Sequence, residues 1–184
     1  TTGQALALGD LNGDHRIDLY LGGVSGGGVG RGDQVWLNQG GCGNFTPTGR
    51  RIRTANAQAV VLGDLNGDGA LDVFVTNGTQ DAANQVLLND GQGAFGELVN
   101  PLRATDVFSA TQQPFPKADS RGVALGDVDR DGDLDAVVAV ATGAFTSTVW
   151  FNNGDGSFDP IPLFLPVTNP QDVALCGDHI VVAL

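Results

Sequence analysis

Three short stretches of this sequence carry oxygen side chains at alternating positions, with one more a few residues on. They are Asp10, Asn12, Asp14 and Asp18 in GDLNGDHRID; Asp64, Asn66, Asp68 and Asp72 in GDLNGDGALD; and Asp127, Asp129, Asp131 and Asp135 in GDVDRDGDLD. Counted from the first Asp, these are positions 1, 3, 5 and 9. Alternate residues of a tightly curled loop point towards a common centre, and position 7 (Arg16, Ala70, Asp133) can add a backbone carbonyl. Such an oxygen cage suits a hard cation that tolerates irregular geometry, Ca²⁺ in preference to Mg²⁺. Without a cation, three or four carboxylates held close together repel one another. Three Ca²⁺ sites are expected.

Two other readings meet the same residues. A single copy would pass for an Asx-rich hairpin turn, but three copies in register weigh against chance. An EF-hand needs flanking helices and a bidentate Glu at position 12; that position is Leu21, Val75 and Val138, each in an apolar run. Within the loops, His15 stands where Gly69 and Gly132 permit a positive φ, and Arg16 puts a cation beside the carboxylates. Loop three has four side-chain carboxylates plus Asp133, so it should bind the ion most tightly, and loop one most weakly.

The elements that position these loops repeat with them. QALALGDLNGDHRIDLYL aligns with QAVVLGDLNGDGALDVFV and RGVALGDVDRDGDLDAVV. Downstream, QVWLNQGGCGNF aligns with QVLLNDGQGAF and TVWFNNGDGSF, and a shortened fourth copy, QDVALCGDHIVVAL, carries no cation loop. The Gly-Asp marks fall at Asp10, Asp64, Asp127 and Asp178, spacings of 54, 63 and 51 residues. Each unit reads as four short strands, and no segment holds a 3.6-residue apolar period. The expected fold is all-β: a β-propeller of four-stranded antiparallel blades, about 3.5 of them, with a stacked β-solenoid as the weaker alternative. Approximate blades are residues 4–54, 55–105 and 120–166, with a half-blade at 169–184 and an insertion loop at 96–120.

D-x-[DN]-x-D-G-x-x-D between two apolar strands, followed by L-N-x-G-x-G-x-F, resembles the FG-GAP/VCBS repeats of integrin α-subunit-type β-propellers, over nearly the whole chain. The resemblance implies Ca²⁺ in the hairpin joining strands one and two of a blade. It also implies a secreted, extracellular or periplasmic setting, and a role in adhesion or in binding a protein or glycan ligand. Similar repeats occur in non-catalytic parts of secreted carbohydrate-active enzymes, which is the alternative.

Composition narrows the partners. Acidic residues outnumber basic ones 21 to 9, only Glu97 among them is not Asp, and the net charge is −12. Such a chain repels nucleic acid phosphates and anionic membrane surfaces, and no apolar run approaches the ~20 residues of a membrane span. The chain begins Thr-Thr-Gly, as a processed chain or excised fragment would. Cys42 and Cys176 are either bridged or free. No enzyme is expected: His15 lies in a cation loop and His179 in a tight turn, and three repeated Asp loops suit structure better than catalysis.

Some features do not repeat. Arg31-Gly32-Asp33 spells an adhesion tripeptide in a glycine-rich loop expected to be exposed, although chance explains it in a chain rich in Gly and Asp. Asn44-Phe45-Thr46 and Asn77-Gly78-Thr79 are glycosylation sequons. Residues 96–120, with Arg103, Phe108, Phe115 and Lys117, make a long segment on the face opposite the cation loops. It is read either as a binding loop or as a surface excursion with its phenylalanines tucked underneath. Three and a half blades leave an open strand edge. The chain is therefore expected to be a fragment of a larger ring, seven-bladed by preference, or to self-associate so that two copies complete a propeller.

Overall fold

The structure, a computed structural model, describes residues 5–23, 32–49, 52, 54, 56–92, 115–142, 147–159, 163–167, 169–177 and 179–184. All regular structure among these residues is β-strand.

The first blade is a four-stranded antiparallel sheet of β1 (Ala5–Gly9), β2 (Asp18–Gly22), β3 (Gln34–Asn38) and β4 (Phe45–Pro47), in chain order. The second contains β5 (Ala57–Gly63), β6 (Asp72–Ala83) and β7 (Gln85–Leu87), with β6 between the other two. The third is again four-stranded, with β8 (Lys117–Gly126), β9 (Asp135–Thr142), β10 (Thr148–Trp150) and β11 (Leu163–Phe164) in order. A two-stranded hairpin, β12 (Asp172–Cys176) and β13 (His179–Ala183), ends the chain.

These strands form where β-branched and aromatic residues run between Asn, Asp and Gly turns. Register repeats with the sequence: Gly9 pairs with Asp18, Gly63 with Asp72, and Gly126 with Asp135. Each pair closes a loop of the same length at the same end of its blade. In the last hairpin Cys176 pairs directly with His179, so no such loop fits between them.

Two boundaries differ from the sequence reading. The second strand of blade two runs on past Val75 to Ala83, and its far end pairs with β8 of the next blade, Gly78 with Asp119 and Ala83 with Lys117. β8 itself starts at Lys117, inside the segment read as an insertion up to residue 120. Hydrogen-bond partners from a neighbouring blade lengthen both strands, and periodicity within one strand does not register a partner of that kind. Arg103 and Phe108 lie outside the described residues.

The core lies between blades. Tyr20, Val35 and Leu11 of blade one pack against Val73, Val75 and Leu87 of blade two. The other face of blade two meets blade three through Phe74, Phe115, Trp150 and Phe158, with edge-on ring contacts such as Phe115–Trp150 at 4.8 Å between centroids. Phe115 is therefore one of the phenylalanines tucked underneath. Val137, Ala139 and Val149 of blade three face Val173 of the last hairpin. Truncating Phe74, fully buried, to Ala would cost about 3–5 kcal/mol.

Candidate metal centre

Each eight-residue loop is wound around its position-1 carboxylate. Asp10 Oδ1 accepts from the backbone N–H of Gly13 at 2.8 Å and Asp14 at 3.1 Å, and its Oδ2 accepts from His15 N–H at 2.7 Å. Asp64 repeats this with Gly67, Asp68 and Gly69. Asp127 accepts from Asp131 and Gly132. Burial pushes the Asp10 carboxyl up, but N–H donors from His15, Gly13, Asn12 and Asp14 outweigh it and hold it below the usual carboxylate range.

Positions 3, 5 and 7 continue the curl. The position-7 N–H donates to the position-5 carboxylate in every loop: Arg16 to Asp14 at 3.0 Å, Ala70 to Asp68 at 2.8 Å and Asp133 to Asp131 at 2.9 Å. Where position 3 is Asn, its amide donates to the other position-5 oxygen, Asn12 to Asp14 at 3.2 Å and Asn66 to Asp68 at 2.9 Å. In loop three this residue is Asp129, whose carboxylate cannot donate to position 5 as the Asn amides do; it accepts from Asp131 N–H at 3.2 Å instead. In loop one Arg16 Nη1 also reaches Asp14 Oδ2, at 3.0 Å.

Position 9 differs from the others because it is buried. Asp18 Oδ2 accepts from Leu11 N–H at 3.0 Å and Oδ1 from Asn38 N–H at 2.8 Å. Asp72 does the same with Leu65 and Asn89, and Asp135 with Val128 and Asn152. Burial raises the Asp72 carboxyl to about 6, with Asn89 and Leu65 N–H opposing and the charges of Asp68 and Asp64 adding. Asp135 is raised for the same leading reason. Each oxygen has one lone pair committed to the fold and one left to give.

In loop three, one oxygen from each of Asp127, Asp129 and Asp135 falls within 4.8 Å of the others, a group able to hold a metal ion. The donors there are all hard oxygens, which fits Ca²⁺ chemistry. Loops one and two share the backbone winding, with Asn in place of one acid. Between them lies a cleft of about 660 Å³ bordered by Asp10, His15, Asp68, Asn89 and Asp90.

Backbone strain is shared out unevenly. His15 has φ 64°, where Gly69 has 86° and Gly132 has 103°, so the positive φ read from the alignment is present. Arg130 sits at φ 69°, where Gly13 has 74° and Gly67 has 73°, a departure in loop three that the sequence reading passed over.

The sequence reading also missed the asparagine of the L-N-x-G turn. Asn89 Nδ2 donates to Leu71 O at 3.1 Å within its own blade and to Leu11 O at 2.9 Å in the preceding one. Asn152 does likewise with Leu134 O at 3.2 Å and Leu65 O at 2.9 Å. The signal was present, since Asn recurs at Asn38, Asn89 and Asn152; its partner in another blade was not visible in one dimension.

The non-repeating motifs fare differently. Arg31 lies outside the described residues, and Asp33 is fully buried rather than exposed. Its carboxylate accepts from Tyr20 Oη at 2.8 Å, Gly23 N–H at 2.8 Å and Thr54 Oγ1 at 2.6 Å, so it is engaged within the fold. Asn77 is fully buried and donates to Ala83 O, which removes its sequon from the surface; Asn44 is exposed. Cys42 and Cys176 are both free and exposed.

The model of the FG-GAP-like repeat family matches residues 10–75 and, one repeat on, residues 64–138. Integrin alpha-4 of Xenopus laevis is 32% identical over 116 residues, which is 60% of this chain. The chain spans 11% of the length of that relative.

Proposed function

We propose that this chain, which belongs to the FG-GAP-like repeat family, is a Ca²⁺-stabilised, non-enzymatic module of an extracellular protein that binds a protein or glycan ligand. The observation that carries the cation is the third loop, where Asp127, Asp129 and Asp135 bring oxygens within 4.8 Å of one another. By the same winding, Asp10, Asn12, Asp14 and Asp18 hold a second ion, and Asp64, Asn66, Asp68 and Asp72 a third. Asp131 completes the set in loop three, with backbone carbonyls of Arg16, Ala70 and Asp133 at position 7. The cation supplies the positive charge that lets the two strands of each hairpin carry clustered carboxylates at their junction.

Similarity to an integrin α chain supports the extracellular, adhesive reading. We read the three loops as structural, since backbone N–H groups engage the position-1 and position-9 carboxylates in each of them. No helix of the described residues is long and apolar enough to cross a membrane.

Titration calorimetry on the chelator-stripped chain tests the cation: Ca²⁺ should bind, and Asp129→Ala together with Asp135→Ala should remove one site. Absence of Ca²⁺ binding by the intact chain would end this reading. A glycan array and a panel of extracellular matrix proteins, each probed with and without Ca²⁺, test the ligand class.

A further inference from the structure

Three related turns flank the cation loops, and one of them is left uncovered. In each blade the position-7 residue of the loop sits beside the glycine that follows the turn asparagine by two. A Cβ at Gly40 would lie 3.6 Å from Arg16 Nε, and one at Gly154 would lie 2.6 Å from Asp133 Oδ2. At Gly91 the nearest atom is Ala70 Cβ, at 3.7 Å. Arg16 and Asp133 lay a side chain across their turns, whereas Ala70 has none to lay. The cleft of about 660 Å³ between loops one and two opens there. Its size falls within the roughly 300–1,000 Å³ usual for ligand clefts.

The residue between the turn's asparagine and glycine changes as well. It is Gln39 in blade one, Asn153 in blade three and Asp90 in blade two. The blade with the small position-7 residue carries the acid. Asp90 is exposed, and its Oδ1 accepts from Gln92 N–H at 2.9 Å. Among the described residues no cation pairs with it. Asp10 and Asp68 add carboxylates at the rim. Asp90 belongs to none of the cation-ligand sets, so its charge persists when those loops are filled. Leu11 and Leu71 give the cleft an apolar lining, and His15, its side chain 97% exposed, stands at the edge of loop one.

We propose that this cleft binds a basic side chain, arginine or lysine, presented by a turn of a partner protein. The aliphatic stem lies along Leu71 and Ala70 and the cationic head meets Asp90, since long basic side chains bury their stems while the head stays polar. Charge complementarity of this kind steers encounter and sets specificity. A glycan is the poorer occupant. The lining holds no Trp, Tyr or Phe on which a sugar ring could stack, and an acidic sugar would meet like charge. The inference rests on the ligand-binding part of the proposed function and not on the cation.

The test follows backbone amide chemical shifts of the full chain as blocked Gly-Arg-Gly, Gly-Lys-Gly or Gly-Glu-Gly peptide is added, in chelator and again in saturating Ca²⁺. The basic peptides should shift Ala70, Asp90 and Gly91 in both conditions, and the acidic one should not. Asp90→Asn, at an exposed position, should weaken binding about tenfold through loss of a charged hydrogen bond. Ala70→Gln should block the cleft. Asp155→Asn, at an exposed acid outside the cleft, should change nothing. The proposal is overturned if neither basic peptide moves these amides, or if Ca²⁺ abolishes the shifts, since the peptides would then occupy the cation loops. Equal weakening by Asp155→Asn and Asp90→Asn would also overturn it, as diffuse attraction to an acidic surface. So would maltose moving the same amides more than either basic peptide, which would assign the cleft to a sugar. A protein ligand whose binding survives both Ala70→Gln and Asp90→Asn would overturn this site and leave the ligand-binding reading standing.

Discussion

Asn89 and Leu11 are 78 positions apart in the chain, and the Asn89 amide donates to the Leu11 carbonyl at 2.9 Å. That bond ties the turn after the third strand of blade two to the loop of blade one, and Asn152 and Leu65 repeat it one blade on. The same asparagine's backbone N–H supports the position-9 Asp of its own loop. One residue type therefore links the loop's geometry to the joint between blades.

Asn152→Ala should lower unfolding free energy by about 1–3 kcal/mol, because it strands the buried carbonyl of Leu65. Asn38→Ala should cost distinctly less, since among the described residues the Asn38 amide bonds only within its own blade near solvent. Urea denaturation of the two variants in parallel measures the difference; equal losses would deny the inter-blade bond its role.

Loop three should bind Ca²⁺ most tightly and loop one most weakly. Asp129 brings a carboxylate near those of Asp127 and Asp135, where Asn12 and Asn66 stand in the other loops and donate to Asp14 and Asp68, and Arg16 already occupies Asp14. Asp129→Asn should bring the third site down to the affinity of the second. Calorimetry that ranks the first loop highest would refute the ordering.

Three bound Ca²⁺ ions would change the formal charge from −12 to −6 (−12 + 3 × 2). A ligand that binds only the folded state at 100 times its dissociation constant adds about 2.7 kcal/mol. Thermal unfolding should therefore shift down in chelator and recover on adding Ca²⁺. An unchanged midpoint would remove the structural role of the metal.

Stability of the chelated protein should carry a pH signature from Asp72. Its folded-state pKa, raised by burial to about 6, exceeds the roughly 3.9 of an unfolded chain, so the folded form holds the proton more tightly. This contribution is complete below about pH 4 and is lost as pH rises through about 6. Asp72→Asn should flatten the dependence between those values. Ca²⁺ should reverse it, because the cation favours the charged carboxylate. Urea midpoints measured across pH 4–7, in chelator and in Ca²⁺, decide the matter.

His15→Gly should stabilise the chain by about 0.5–1 kcal/mol, because His15 holds φ 64° at a position where two sister loops use glycine. A loss of stability would show that the 3.8 Å approach of His15 to Asp10 outweighs the backbone strain. Thermal denaturation at neutral pH in Ca²⁺ distinguishes the two.

The strand-and-loop unit and its repetition are legible in the order of residues alone. The loop pattern is local: an Asp at position 1 binds N–H groups three to five residues on, and alternating apolar residues pair across a short hairpin. Such contacts leave a periodic trace in one dimension, which is why Asp10, Asp64 and Asp127 could be picked out with their companions. Even the strain at His15 was legible against Gly69 and Gly132. What happens between units depends on contacts made in three dimensions. Asn89 reaches Leu11 across another blade, Gly9 makes room for Leu62 and Leu71, β6 and β8 extend because they find each other, and Asp33 turns inward to Tyr20 and Thr54. These are contacts between residues distant in sequence, set by packing and by the need to satisfy buried polar groups, and no spacing within one strand encodes them.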